Sequence, residues 1–363
     1  MISPAHLSLI VAGRLDQLTG GYIYDRRIVE SLRARGVMVE LHCLDGRFPE
    51  PDDIARESLE RALGRCTDQS LVIVDGLAAS AMPEVLEVHR HRLSLVALIH
   101  HPLGDETGLD PAQQQKLLSL ECRTLEAVGG IIVTSTFTCR RLVALGIDAD
   151  RISVVEPGIK PVALSPAEGE TPRFLCIATL IPRKGQHLLI EALATLGDHP
   201  WHCDLIGDER DVDYARNLRD SIKAHGLESR VTLHGAQAPE ALEAHWQRSD
   251  LFVLPSFYEG YGMVVTEALA HGLPVVTTTG GALADTLPPN AGIHVPPGDA
   301  PALAEALAAL FWHSGGRSER YASLREGALA ARDTLNDWPG AADAFLRALE
   351  RFHGSNAATA HGT

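Results

Sequence analysis

Short apolar runs alternate along the chain with longer segments whose apolar residues recur every third or fourth position. In the first half the runs are "LSLIVAG" (7–13), "VMVELHCL" (37–44), "SLVIVDG" (70–76), "LSLVALIHH" (93–101), "GIIVTS" (130–135) and "RISVVEPG" (151–158). They are rich in Val, Ile and Leu and stop at Gly, Ser, Asp or His, which predicts strands buried on both faces. Between them lie helical patterns such as "YDRRIVESLRARG" and "AQQQKLLSLECRTLEAVGG", the second closed by glycines. This alternation predicts a parallel sheet with helices on both faces.

The period then breaks. "EPGIKPVALSPAEGETP" (156–172) is rich in Pro and Gly and reads as an inter-domain linker. The alternation restarts in "RFLCIATL" (173–180), "WHCDLIG" (201–207), "RVTLHG" (230–235), "DLFVLPS" (250–256), "LPVVTTT" (273–279) and "GIHVP" (292–296). The expectation is α/β: two doubly wound domains in tandem, 1–157 and 158–339. An amphipathic last helix from about 340 follows Trp338 and Pro339 and crosses back to the first domain, its tail fraying from Gly354. Ligands of such sheets bind at the carboxyl ends of the strands, and the inter-domain cleft is the default active site.

The bulk numbers narrow the chemistry. At 363 residues, 45% of them apolar and 22% charged, the chain is ordinary globular protein with room for two cores. A formal net charge of −15 excludes general nucleic-acid binding and weakens attraction to anionic lipid. Any anionic substrate must therefore meet a few local cations. The six cysteines show no C-x-x-C pair and no metal-ligand spacing, as in a reducing cytosol. The first apolar run lacks a signal peptide's charged leader and cleavage site, and no stretch approaches the roughly 20 apolar residues that span a bilayer. A soluble, cytoplasmic protein is expected, with peripheral membrane contact still open.

Two strand ends carry the candidate chemistry. In "CIATLIPRKGQHLLIEAL" the loop holds Arg183 and Lys184, and Gly185 opens a helix. Two cations beside a helix N-terminus make an anion site, whereas a solvated surface pair is the bland reading. In "PSFYEGYGMVVTEALAHGLPVV" (255–276) a strand runs into a loop with Glu259, then a helix with Glu267 one turn in. Gly260 and Gly262 admit a phosphate close to the backbone, with the N–H groups of about Gly262 to Val264 aimed at it. Carboxylates accept well from paired hydroxyls, so one acid suits a ribose diol and the other a sugar ring.

This second block closely resembles the E-x7-E block of the retaining GT-B glycosyltransferases of the fourth sequence family. "IATLIPRKGQHLLIEAL" resembles that family's phosphate loop. "DLIG" (204–207), "VTLHGAQAPEALEAHWQRSDLFVLPS" and "IHVPPGDAPALAEAL" resemble its other donor-domain blocks. "TGGYIYDRRIVESLRARG" and "IHHPL" resemble, more loosely, its N-terminal loop and His-bearing strand end. The resemblance implies a GT-B fold, with acceptor binding in 1–157 and nucleotide-sugar binding in 158–339. It implies that Arg183 and Lys184 hold the diphosphate and Glu267 the ribose. Glu259 would contact the transferred sugar, with Gly260 and the loop N–H groups of Tyr261, Gly262, Met263 and Val264 nearby. Gly20 and Gly21 would flank the reaction centre, and either His100 or His101 would lie near the sugar. The family commonly carries Gly-Arg-Leu where this chain has Ala178-Thr179-Leu180, which leaves Arg183 to supply that charge from another angle.

The implied reaction moves a sugar, with retention, from a nucleotide-diphosphate sugar to an unidentified sugar, glycan, lipid-linked or small-molecule acceptor. Breaking an anomeric C–O bond makes an oxocarbenium-like centre and a diphosphate leaving group that needs positive stabilisation. No D-x-D-type metal motif stands out, so no metal and no cofactor are expected beyond the donor as co-substrate. No P-loop, dinucleotide fingerprint, H-E-x-x-H or G-x-S-x-G is present. A GT-B sugar-nucleotide epimerase, a phosphorylase and a catalytically silent nucleotide-sugar-binding subunit are the alternatives. Arg26, Arg27, Arg33 and Arg35 give the first helix a basic side that would suit an anionic acceptor or, more blandly, solvent.

Overall fold

The computed structural model describes residues 6–166, 169, 171–197, 199–311 and 317–360, with side chains as far as 352. It divides into two compact units, Met1–Gly158 with Asn336–Thr363, and Ile159–Leu335.

The sheet of the first unit contains β1 (His6–Ala12), β2 (Met38–Leu44), β3 (Leu71–Asp75), β4 (Ser94–Ile99), β5 (Gly130–Val133) and β6 (Ile152–Val154). All neighbours are parallel, in the order β2-β1-β3-β4-β5-β6. The sheet of the second unit contains β7 (Arg173–Ile177), β8 (His202–Ile206), β9 (Val231–Leu233), β10 (Leu251–Leu254), β11 (Val275–Thr278) and β12 (Gly292–Val295). It is also parallel, in the order β12-β11-β10-β7-β8-β9. Each predicted apolar run holds one strand, shorter than the run except for β1, which equals its run in length and begins one residue earlier, at His6. The trimmed residues bend away from the ladder to form the strand-end loops, as Gly13 does with φ +65°.

Period-2 alternation sorts the core of the second unit. Phe174 and Cys176 join the cluster on one face with Trp201, Leu205 and Phe311, while Leu175, Ile206, Phe252 and Leu254 join the other. Because successive connections run outward in opposite directions from β7 and β10, this pair is the point where the strand order reverses. Ligands of such sheets generally bind outside the strand ends at a reversal of this kind.

The segment read as a linker is tied down. The Ser165 N–H donates to His271 O at 2.9 Å and its hydroxyl to Ser249 O at 2.8 Å. Arg325 donates to Ser165 O at 2.6 Å and Arg332 to Val162 O at 2.7 Å. These bonds run through its backbone and one small side chain, so no apolar period betrays them. Ala167, Glu168 and Glu170 of the same segment lie outside the described residues.

The last helix runs Trp338–Ala360, past the point where the tail was expected to fray; residues 361–363 lie outside the described residues. It packs within the first unit. Arg35 Nε donates to Asp343 Oδ1 at 2.6 Å, and Trp338 meets Tyr24 edge-on with centroids 6.0 Å apart. Phe352 is buried over β5, where a Cβ on Gly130 would lie 2.2 Å from its ring. Glycine leaves the hole that the phenyl fills. Phe352→Ala should therefore lower the unfolding free energy by about 3 kcal/mol or more through transfer loss plus a residual cavity, read from the denaturant midpoint of the first unit. An unchanged midpoint would contradict this docking.

Candidate functional site

In the second unit the loops after β7 and β10 meet at the reversal point. Pro182–Lys184 form a 3₁₀ turn, and Gly185 follows with φ +68° to start helix Gln186–Ala194. A Cβ on Gly185 would lie 2.2 Å from Pro255 O, so both the left-handed turn and the approach of the second loop require glycine. The Phe257 N–H donates to Arg183 O at 2.8 Å, joining the loops through backbone.

This brings Lys184 and Glu259 together. Lys184 Nζ donates to Glu259 Oε1 at 2.6 Å, and Ser256 Oγ donates to the same oxygen at 2.7 Å. Arg183 Nη1 lies 3.7 Å from Glu259 Oε2 and donates to Tyr258 O at 2.6 Å. Glu259 is 7% exposed and its Ser256 partner is fully buried. Burial alone would raise the Glu259 pKa. The charges of Lys184 and Arg183, with hydrogen bonds from Lys184 and Ser256, overcome that and hold it below the ordinary 4.5. The carboxylate is ionised, and it binds the Arg183 and Lys184 side chains into one charged cluster at the strand ends.

The loop after β11 supports the acid from behind. Ala282 N–H donates to Glu259 O at 2.8 Å. A Cβ on Gly281 would lie 2.3 Å from Glu259 O, and one on Gly280 would lie 2.2 Å from Phe257 O. Ser256, Gly280 and Gly281 escape the sequence reading because they act on Glu259 through the fold. Only the paired glycines after a strand hinted at a close approach.

Gly262, with φ +90°, starts helix Met263–Ala270, and no side chain caps that N-terminus. The Val265 N–H returns to Gly262 O at 2.8 Å, leaving Met263 and Val264 as the first-turn donors of interest. Gly260 takes no positive φ. Glu267 is half-buried and shares the less buried face of the helix with Met263 and Val264, four and three residues before it; Val265, Thr266, Ala268 and Leu269 face inward. Tyr261 accepts through its carbonyl from Thr286 Oγ1 at 2.6 Å.

The helix N-terminus behind Lys184 is less open than expected. Tyr214 Oη accepts from the His187 N–H at 3.2 Å and donates to Gln186 Oε1 at 3.2 Å. Gln186 Nε2 in turn donates to Thr179 O at 3.1 Å. A side chain 28 residues away fills this end, so the side-chain cations, more than this helix end, carry the positive charge here.

In the first unit Gly20 and Gly21 open helix Gly20–Ala34, with Gly20 exposed. A Cβ on Gly21 would lie 3.0 Å from His100 Cδ2, so the glycine admits the imidazole against the helix. His100 Nε2 lies 3.1 Å from Asp25 Oδ1 and 3.4 Å from Asp75 Oδ2. Asp75 is itself fixed, its Oδ1 accepting from the Leu77 N–H at 3.0 Å. Burial would lower the His100 pKa, but the charges and hydrogen bonds of Asp25 and Asp75 raise it well above the ordinary 6.5. Burial raises Asp25 above its ordinary 3.8, opposed by His100. The arrangement holds a protonated imidazole between two buried acids. The two histidines thus separate: His101 lies 3.5 Å from Glu106 on the following loop. That loop is latched by Arg141, which forks onto Asp105 at 2.7 and 2.8 Å, and by buried Glu121, which accepts from the Leu103 N–H at 3.5 Å. Asp25 and Asp75 had no local signal, being 75 and 25 residues from the histidine they hold.

The expected basic side of the first helix is largely consumed. Arg26 donates to Leu15 O at 3.3 Å, Arg27 to Glu30 at 2.7 Å, Arg33 to Val39 O at 2.8 Å, and Arg35 to Asp343. Apart from the i,i+3 pair Arg27–Glu30, these long guanidinium side chains reach carbonyls and an acid that a helical projection does not show.

Residues 164–328 match the family described as Glycosyl transferases group 1. Over 227 residues the chain is 31% identical to the D-inositol 3-phosphate glycosyltransferase of Pseudarthrobacter chlorophenolicus, covering 58% of this chain and 53% of that protein. Over 116 residues it is 35% identical to the mannosylfructose-phosphate synthase of Agrobacterium fabrum, covering 30% and 26%. The chain thus spans about half or less of the length of these curated relatives. Among solved structures, the sucrose-phosphate synthase of Thermosynechococcus elongatus superposes with a TM-score of 0.79 at 20% identity, over 96% of this chain and 100% of that one. Anabaena HepE in complex with UDP and glucose superposes with a TM-score of 0.72 at 19% identity, over 95% and 100%. These likenesses show the fold: two Rossmann-like units of the GT-B class. Among the described residues no helix is long and apolar enough to cross a membrane.

Two pH profiles test the electrostatics. Because the Glu259 pKa is depressed on folding, its stabilisation is present above pH 4.5 and lost as pH falls through the lower folded value. The stability gap between wild type and Lys184→Met should therefore be widest above pH 4.5 and narrow below it; a gap independent of pH would contradict the pairing. His100 has the opposite sign: its raised pKa stabilises below pH 6.5, and this is lost as pH rises through the folded value. His100→Gln should flatten that alkaline loss, and a variant profile parallel to wild type would refute the charged imidazole.

Proposed function

We propose that this chain is a glycosyltransferase of the retaining, metal-independent kind, which moves a sugar from a nucleotide-diphosphate sugar to an acceptor. The observation that carries the reading is the buried Lys184–Glu259 pair at the strand-order reversal of the second unit, inside the residues that match the Glycosyl transferases group 1 family. The glycosyltransferase name of the Pseudarthrobacter relative supports sugar transfer, and the UDP held by the Anabaena structure supports a nucleotide sugar as donor.

The chemistry starts from an ion pair already made. Lys184 is held by Glu259 at 2.6 Å, and an arriving diphosphate competes for it with two negative charges or more. Lys184 and Arg183 then neutralise charge on the departing diphosphate, where it grows as the anomeric C–O bond breaks. Glu259, relieved of Lys184 and still held by Ser256, accepts from hydroxyls of the transferred sugar. The N–H groups of Met263 and Val264, with Gly260, Tyr261 and Gly262 leading into them, face the phosphate, and Glu267 on the same helix face takes the ribose diol. His100, with Gly20 and Gly21 beside it, is assigned to sugar hydroxyls as a charged hydrogen-bond donor. His101, engaged with Glu106, is the lesser candidate. The acceptor hydroxyl attacks from the face the diphosphate leaves, and the leaving phosphate takes its proton. A cytoplasmic setting belongs to this reading and is supported by six free cysteines.

The test is a panel of UDP-, GDP- and ADP-sugars with and without acceptors, following nucleoside diphosphate release. One donor should turn over in the presence of EDTA and give product with the donor's anomeric configuration. Lys184→Ala should cut kcat about 100-fold, and Glu267→Gln should weaken donor binding about tenfold. Tight donor binding with no turnover by any acceptor points to the silent subunit, and an isomerised sugar formed without acceptor points to the epimerase; either result overturns the transferase.

A further inference from the structure

Away from the residues assigned above, the second unit gathers three ligating side chains from three elements. Asp204 lies in β8, His234 follows β9, and His245 lies in helix Pro239–Arg248. The register pairs Asp204 with Thr232, so Asp204 and His234 fall on one face of the sheet, and Trp246 beside His245 packs into the core of that face with Ile206. Asp204 and His245 are buried and His234 is half-buried.

The donor atoms lie within 4.8 Å of one another. Asp204 Oδ1 is 2.5 Å from His234 Nε2, and Asp204 Oδ2 is 3.4 Å from His245 Nδ1. The two imidazoles meet edge-on with centroids 4.5 Å apart. Arg248 Nη2 lies 3.0 Å from Asp204 Oδ2 and 2.6 Å from His245 Nδ1. A guanidinium only donates, so the carboxylate oxygen and the imidazole nitrogen both turn lone pairs toward one cationic point.

We propose that Asp204, His234 and His245 form a binding site for a divalent transition metal of the Zn²⁺ type, for whose lone pairs Arg248 competes. Two imidazole nitrogens and one carboxylate oxygen are the donor set of zinc, and are too rich in nitrogen for Mg²⁺ or Ca²⁺. Tetrahedral bonds of about 2.0–2.2 Å place ligand atoms about 3.3–3.6 Å apart, a span that includes the 3.4 Å His245–Asp204 edge. The His234–Asp204 hydrogen bond must open, with the His234 proton carried on Nδ1 instead of Nε2. A water completes the fourth position. The ion pins β8, the segment after β9 and the following helix to one another. It uses none of the residues assigned to sugar transfer and stands or falls independently of that reading.

The test is a Co²⁺ titration of the tag-free, chelator-stripped full chain, followed by visible d–d absorption and by displacement with Zn²⁺. Wild type should show one saturable equivalent with bands of tetrahedral intensity, and Zn²⁺ should raise its Tm. His234→Ala, at a half-buried position, should lose both effects while keeping its far-UV circular dichroism. Arg248→Ala should tighten Co²⁺ binding on the order of tenfold or more by removing a like charge from the site. A folded wild type with no saturable band overturns the proposal, as does a band that survives in both His234→Ala and Asp204→Asn.

Discussion

The candidate site depends on one buried ion pair. Glu259 is almost closed to solvent, and a lone carboxylate there would be expelled or neutralised. It stays charged because Lys184 sits 2.6 Å away, Arg183 lies nearby and Ser256 donates from beneath. These residues come from two strand ends that are neighbours only because β7 pairs with β10. The site at that reversal is set by topology, and its fine shape by glycines: Gly185 yields to Pro255 O and Gly281 to Glu259 O. A side chain at either position would part the loops that the ion pair joins.

A preformed pair of this kind suits an anion-binding site. Two cations side by side without a counterion would repel each other, and partial neutralisation by Glu259 keeps them folded inward. A diphosphate offers Lys184 a stronger partner, so binding exchanges one ionic contact for another. The first unit solves a related problem with opposite signs. There a single imidazole reconciles two buried acids, Asp25 from the first helix and Asp75 from the end of β3.

The architecture was legible because parallel strands buried on both faces leave an unmistakable apolar run: eleven of the twelve strands lie inside such runs, and β1 begins one residue before its own. Arg183, Lys184 and Glu259 were legible as loop residues at strand ends, but their mutual contact was not, since 75 residues separate Lys184 from Glu259. Three further features were hidden for the same reason. Tyr214 reaches back to the N-terminus of helix Gln186–Ala194, Asp25 and Asp75 converge on His100, and Arg26, Arg33 and Arg35 reach carbonyls and an acid beyond the first helix. The segment 159–166 lacked any apolar signal because it docks through backbone hydrogen bonds. Periodicity reports burial of apolar faces; it is silent on polar contacts between distant loops.

The most direct measurement is a crystal structure of the chain grown with the nucleoside diphosphate of its donor. The diphosphate should lie against the loops after β7 and β10, with Lys184 Nζ moved from Glu259 onto a phosphate oxygen and Glu259 still held by Ser256. A diphosphate bound elsewhere, with Lys184 and Glu259 still joined, would contradict this assignment.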